Sequence, residues 1–139
     1  MVIHITGLVI LGEELVRRRE KIEARFTFLY AALLLIVVFT AILFLHLLEA
    51  TIWAGFFLWG GLFPNFELAL YCSLTSYSTA GYGDVLLPPK WRLLGTIEAI
   101  SGVLLCGLSA AFLFAVVNGL FQFKGLRRDR SQKTNGQFS

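Results

Sequence analysis

Six consecutive residues, Thr79-Ala80-Gly81-Tyr82-Gly83-Asp84, hold the densest chemistry in the chain. They offer a hydroxyl, a carboxylate and a backbone freed by two glycines, and read alone they are a glycine-punctuated turn. An apolar run dotted with hydroxyls, from Phe66 to Ser78, precedes them. Three ionisable side chains, His46, Glu49 and Glu98, fall inside otherwise apolar stretches. Neither Cys72 nor Cys106 has a His or Cys partner at metal-ligand spacing, so both read as small packing residues. No nucleophile–base set and no metal cluster can be assembled, which argues against an enzyme and against a bound cofactor.

The elements that position this turn follow from composition. Apolar residues make up 57% of the 139 and charged residues 15%, against the ~45–50% and ~25% of soluble domains. One small core cannot absorb so much apolar surface, so lipid must act as solvent. Charge is segregated too. Arg17, Arg18, Arg19, Lys21 and Arg25 precede the first long apolar run, and Lys124, Arg127, Arg128, Arg130 and Lys133 follow the last. An even number of spans with both ends basic predicts two cytoplasmic termini. The net charge of +3 therefore reads as membrane topology and carries no nucleic-acid patch.

Along the chain, Val2 to Leu11 is too short to span and is weakened as a helix by Gly7 and Gly12. It reads as interfacial or unstructured, and Glu13 to Arg25 as a solvated helix along the inner membrane face. Residues 1–25 thus form a cytoplasmic N-terminal segment. The first span is expected over 26–55, with Phe28 and Tyr30 at the inner interface and Trp53 and Trp59 at the outer one. Gly60-Gly61 breaks it. Asn65 is a good N-cap, with Glu67 in the first turn of a helix over 66–78. That helix is too short to cross. A short apolar helix followed by a glycine-broken loop at membrane depth is tolerated only when buried in protein or lining a water path. Pro88-Pro89 and Trp91 mark the return to the surface, and the second span is expected over 93–123. The polar residues 124–139 read as a basic, disordered tail.

With these flanks, Thr-Ala-Gly-Tyr-Gly-Asp resembles the selectivity filter of two-transmembrane potassium channels of the bacterial type. The resemblance covers about Leu43 to Phe123, and His46-Leu-Leu-Glu49 with Trp53-Ala54 is similar to small two-helix bacterial channels. It implies an all-α membrane protein in which two transmembrane helices flank a re-entrant pore helix and a filter loop at 79–84. In that family backbone carbonyls replace the ion's hydration shell. One loop offers one oxygen per layer, so four copies must surround an axis. The implied K+ ligands are Thr79, Ala80, Gly81 and Tyr82, with Gly83 completing the filter. Gly81 and Gly83, two apart, permit the positive φ that alternating carbonyls need. Tyr82 is expected to brace the loop against the pore helix, and Asp84 to raise cation concentration at the outer mouth.

Two departures stand out. Ala80 replaces a β-branched residue, which predicts a softer filter. Thr75 stands where some family members carry a carboxylate behind the filter. Glu98 shares a helical side with Gly102, Leu105 and Ser109 at 100° per residue, which aims it at pore-helix hydroxyls such as Ser73 or Ser76. Leu104, Gly107, Ala111 and Ala115 are the expected cavity lining. Gly102 or Gly107 reads as a packing glycine or a hinge. His46 and Glu49 share a face and read either as functional or as a polar pair at the outer interface. Regularly spaced arginines are absent, and no soluble ligand domain is encoded.

The expectation is a potassium-selective homotetrameric channel subunit in the cell membrane, its partners being lipid and its own copies, with K+ as permeant ion. A weakly selective sodium/potassium channel is the alternative that Ala80 motivates. A non-conducting pore-like regulatory subunit is a third.

Overall fold

The computed structural model describes residues 1–24 and 27–136. The expected start of the first span at Phe26, the basic Arg25 and the last three residues lie outside the described residues, as do the side chains from 123 onward, among them the basic cluster Lys124 to Lys133. Five helices and one short turn follow in order: α1 (Val2–Arg17), α2 (Arg19–Ala24), α3 (Phe28–Trp59), α4 (Phe66–Tyr77), a 3₁₀ turn (Pro89–Trp91) and α5 (Arg92–Gly136).

Helices α3 and α5 are long and apolar enough to cross a membrane. Only 11% and 17% of their most apolar windows are buried in the chain itself, so those surfaces require lipid or further protein. Hydroxyls on the open faces satisfy themselves: Thr51 Oγ1 donates to Leu47 O at 2.8 Å and Ser101 Oγ to Ile97 O at 2.9 Å.

α3 starts at a Thr27 N-cap, whose side chain accepts from the Tyr30 N–H at 3.2 Å. It outlasts its expected end at 55, stopping at Trp59 in a Schellman motif. Gly61 takes φ +67°, the Leu62 N–H returns to Phe57 O and the Gly61 N–H to Leu58 O, each at 3.0 Å. The contact of Leu62 with the cluster containing Phe57 completes it. α4 has the expected cap, Asn65 Oδ1 accepting from the Leu68 N–H at 2.9 Å, and Ser78 is its C-cap instead of its last residue.

Two expectations fail here. Residues 2–17 do not remain unstructured: they form α1, which packs on α3 and α5. Leu8 is buried with Val38 and Ile42, and Leu45, Phe112 and Val116 close around them. The glycines that weaken α1 as an isolated helix permit this approach. A Cβ at Gly7 would come 2.7 Å from Leu45 Cδ2, and one at Gly12 would lie 3.4 Å from Phe112. The second failure is the tail, because α5 continues as helix through Gly136 where an unstructured segment was expected from residue 124. An unbroken i→i−4 ladder carries the backbone past the apolar stretch.

Candidate functional site

The loop after α4 departs from regular structure in a periodic way. Thr79, Gly81 and Gly83 take φ of 59°, 56° and 79°, while Ala80 and Tyr82 between them stay at negative φ. The backbone therefore changes hand at each step from 79 to 83. Gly81 and Gly83 do this at little cost, but Thr79 is β-branched and strained there. Helix α4 holds the strained start. The Thr79 N–H donates to Ser76 O at 2.9 Å and the Gly81 N–H to Thr75 O at 3.0 Å, so loop amides cap the helix's last carbonyls. The negative end of the α4 dipole thus faces the beginning of the loop.

At the far end of the loop, Tyr71 Oη donates to Asp84 Oδ2 at 2.7 Å, and Asp84 Oδ1 accepts from the Val85 N–H at 3.0 Å. The Tyr71 hydrogen bond is the main reason that the Asp84 carboxyl lies below the usual carboxylate range, and the same bond pushes the Tyr71 phenol up. Tyr71 escaped the sequence reading. Its signal was thirteen residues of separation from a carboxylate, which only the folded loop makes meaningful.

Tyr82 does not brace its own pore helix. It is 75% exposed, on a side of the loop that this chain leaves open. Ala80 is exposed as well. The polar residues behind the loop separate clearly. Glu98 is fully buried and meets Ser73, with Ser73 Oγ 2.5 Å from Glu98 Oε1 and 2.7 Å from Ala50 O. Glu98 Oε2 has no hydrogen-bond partner among the described residues. Thr75 turns its hydroxyl to Cys72 O at 3.0 Å, and so gives the loop a backbone carbonyl only. Ser76 lies near Gly95 instead of Glu98.

On α5 the face Glu98, Gly102, Leu105 and Ser109 is buried throughout. Gly102 is where this face touches the pore helix: an added Cβ would fall 2.0 Å from Tyr77 O. That resolves the choice at this residue in favour of packing. Gly107 has open space around it, and Leu104, Ala111 and Ala115 are exposed on the opposite side. Ala115 also borders a cavity of about 330 Å³ between α1, α2, α3 and α5.

His46 and Glu49 both find partners inside the fold. Glu49 is buried and accepts from the His4 N–H at 3.3 Å, besides pairing with the Met1 amino group. His46 reaches Tyr77 Oη and Ser109 Oγ. His4, fully buried, was missed because α1 was not expected to enter the membrane domain. Its signal was that of His46, an imidazole in an apolar run that needs a partner.

Two long apolar helices around a short, non-crossing helix and an alternating-hand loop define a pore-loop membrane protein. The model of the ion channel family matches residues 31–118, and this chain belongs to that family. The match takes in α3 from its first turn, all of α4 and the loop, and α5 to the depth of Asn118. No curated protein and no solved structure matches the chain. Membership makes the protein a membrane-embedded, non-enzymatic channel whose work is passive ion conduction.

Proposed function

We propose that this chain is the pore subunit of a homotetrameric, potassium-selective channel. The observation that carries the reading is the alternation of hand at Thr79, Gly81 and Gly83. Successive carbonyls can then face one line, so Thr79, Ala80, Gly81 and Tyr82 supply one oxygen per layer from each chain. Four chains make the rings that replace potassium's water shell, and K+ is the permeant ion without any further cofactor.

Exposure of Tyr82 and Ala80 supports the oligomer, since both side chains have room for a neighbouring copy and none of their own chain behind them. The open faces of α3 and α5 are consistent with the same assembly. Asp84, ionised and fixed by Tyr71, concentrates cations at the mouth. The basic residues outside the spans orient the Trp59 end of α3 away from the cytoplasm of a cell membrane.

Glu98 supports the filter from behind. Ser73 has one hydroxyl proton and two oxygens within reach, Ala50 O and Glu98 Oε1. A neutral Glu98 supplies the second proton and donates to Ser73 Oγ while Ser73 donates to Ala50 O. The carboxyl then does at residue 98 what a carboxyl at position 75 would otherwise do.

Ala80 favours a second reading, a weakly selective sodium/potassium pore, because it leaves space behind the loop. Flux from liposomes under matched potassium and sodium gradients separates the two. Fast potassium flux with sodium far slower, blocked by barium, is the expected result. Equal rates would establish the weakly selective pore, and tetramers without flux the regulatory subunit.

A further inference from the structure

The sequence contains two histidines, and both lie in one cluster, His4 buried and His46 half-buried, that the filter reading does not use. The His4 and His46 ring centroids are 4.4 Å apart. Their Nε2 atoms share Ser109 Oγ at 2.9 and 3.2 Å, and His46 Nδ1 meets Tyr77 Oη at 2.9 Å. Four helices, α1, α3, α4 and α5, are joined at this point. We propose that His4 and His46 form a proton-binding site inside the membrane domain, and that loading it releases α1 and lowers conduction through Tyr77.

Hydrogen-bond accounting shows why the docked state is the neutral one. With both rings uncharged, each Nε2–H can donate to a lone pair of Ser109 Oγ, and the Tyr77 hydroxyl can donate to His46 Nδ1. Besides the Ser109 hydroxyl proton, which neither ring accepts in this arrangement, this leaves the lone pair of His4 Nδ1, which has no partner among the described residues. A proton added there becomes a buried, charged N–H without an acceptor, a costly arrangement. A proton added to His46 Nδ1 turns an acceptor toward Tyr77 into a donor and breaks the existing pattern.

The surrounding charges point the same way. On α1 the Met1 amino group, and on α3 the Glu49 carboxylate, pair with each other. The groups facing the rings from α4 and α5 are Tyr77 and the uncharged Ser109, with Cys106 and Glu98 in electrostatic reach of Tyr77. Glu49 can favour one extra positive charge. A second, one ring away, has no further counter-ion among the described residues. Relief comes by moving α1, the least packed of the four helices that meet here. Tyr77 is the last residue of α4 and lies two before Thr79, so loss of its partner loosens the helix end that caps the loop.

The test uses the full chain in liposomes, taken from about pH 8 to about pH 5.5, the range in which histidine titrates. The conduction arm rests on the channel reading above, whereas the docking arm does not. Amide hydrogen exchange across residues 2–17 should rise about tenfold or more on acidification. Potassium flux should fall severalfold with the same midpoint as the ¹⁵N signals of the two imidazoles. The double variant His4→Gln/His46→Gln should flatten both responses. Ser109→Ala, which removes the shared acceptor but keeps both rings, should move the midpoint to higher pH. Protection of α1 that ignores pH, or an equal rise in the double variant, overturns the site. Exchange that moves while flux stays constant overturns its link to conduction. If no flux is seen at any pH, the channel reading fails and the exchange data still decide the proton site.

Discussion

One face of α5 carries two buried polar clusters, and they are built differently. At Glu98 a single carboxyl meets a single serine, Ser73, on the neighbouring helix of the pore loop. At Ser109, three turns further on, one hydroxyl joins two imidazoles from α1 and α3, with Tyr77 and Glu49 attached. The first cluster lies within the span–loop–span unit that the family match covers. The second cannot exist without α1, which lies outside it. The difference separates a cluster that lies wholly within the matched unit, and that the proposed function uses as the loop's backing, from one that also draws on a helix outside it. Gly102 lies between the two clusters and sets how close α5 comes to the pore helix.

The contrast can be broken most sharply at that glycine. Gly102→Ala forces a Cβ toward Tyr77 O at 2.0 Å, backbone that cannot swing aside. Separation of α5 from α4 should cost about 3 kcal/mol or more, at or above the usual range for overpacking. Loss of the proposed oligomer in detergent is the expected reading, while Gly107→Ala, with nothing within 4 Å, should melt like the parent.

Glu98 comes next in size. Glu98→Leu takes from Ser73 Oγ the donor that the neutral carboxyl supplies and, on the proposed role, removes the loop's backing, so potassium flux should fall at least tenfold, whereas Glu98→Gln keeps a donor and should stay within about threefold of the parent. If Glu98→Leu conducts normally, the backing lies elsewhere and the two clusters no longer differ as described.

Tyr71→Phe should give a smaller change, readable by acid titration. The Asp84 carboxyl lies below its ordinary range in the folded loop, chiefly through the Tyr71 hydrogen bond. Its contribution is therefore fully present above the ordinary carboxylate range and is lost as pH falls through the lowered value. Removing the phenol should move the acid-side loss of flux to higher pH and leave neutral-pH flux nearly unchanged. A profile identical to the parent would mean that Asp84 is held by the Val85 N–H alone.

The smallest effect is expected at Ala80. Ala80→Val adds two methyl groups, worth about 1.6 kcal/mol per chain if fully buried between copies, and less where they stay exposed. A modest gain in oligomer stability and in discrimination against sodium would fit. A loss of flux would show that the filter has no spare volume at this position.

How much of this was legible before folding depended on whether a residue's partner lay in the same short-range pattern. The pore helix could be read from Asn65 and Glu67, because capping is local. The orientation of Glu98 followed from 100° per residue along α5, which puts it with Gly102, Leu105 and Ser109 on the buried side. The choice of Ser73 over Ser76 did not follow, since both serines lie on α4 and which of them meets Glu98 is set by how α4 and α5 pack. Thr79 at positive φ was hidden by its residue type, which disfavours that region. The α1 site was hidden by length. Sixteen residues cannot cross a bilayer, and Gly7 and Gly12 lower intrinsic helix propensity, yet those glycines let α1 lie against Leu45 and Phe112. Local propensity argued one way and tertiary packing the other, and packing won.

The central claim, four copies forming a potassium-selective filter from Thr79 to Gly83, is tested most directly by the reversal potential of the parent chain in a planar bilayer, with potassium on one side and sodium on the other. The account predicts a reversal potential that follows the potassium gradient and is insensitive to sodium. A reversal potential at zero under those bi-ionic conditions would contradict it.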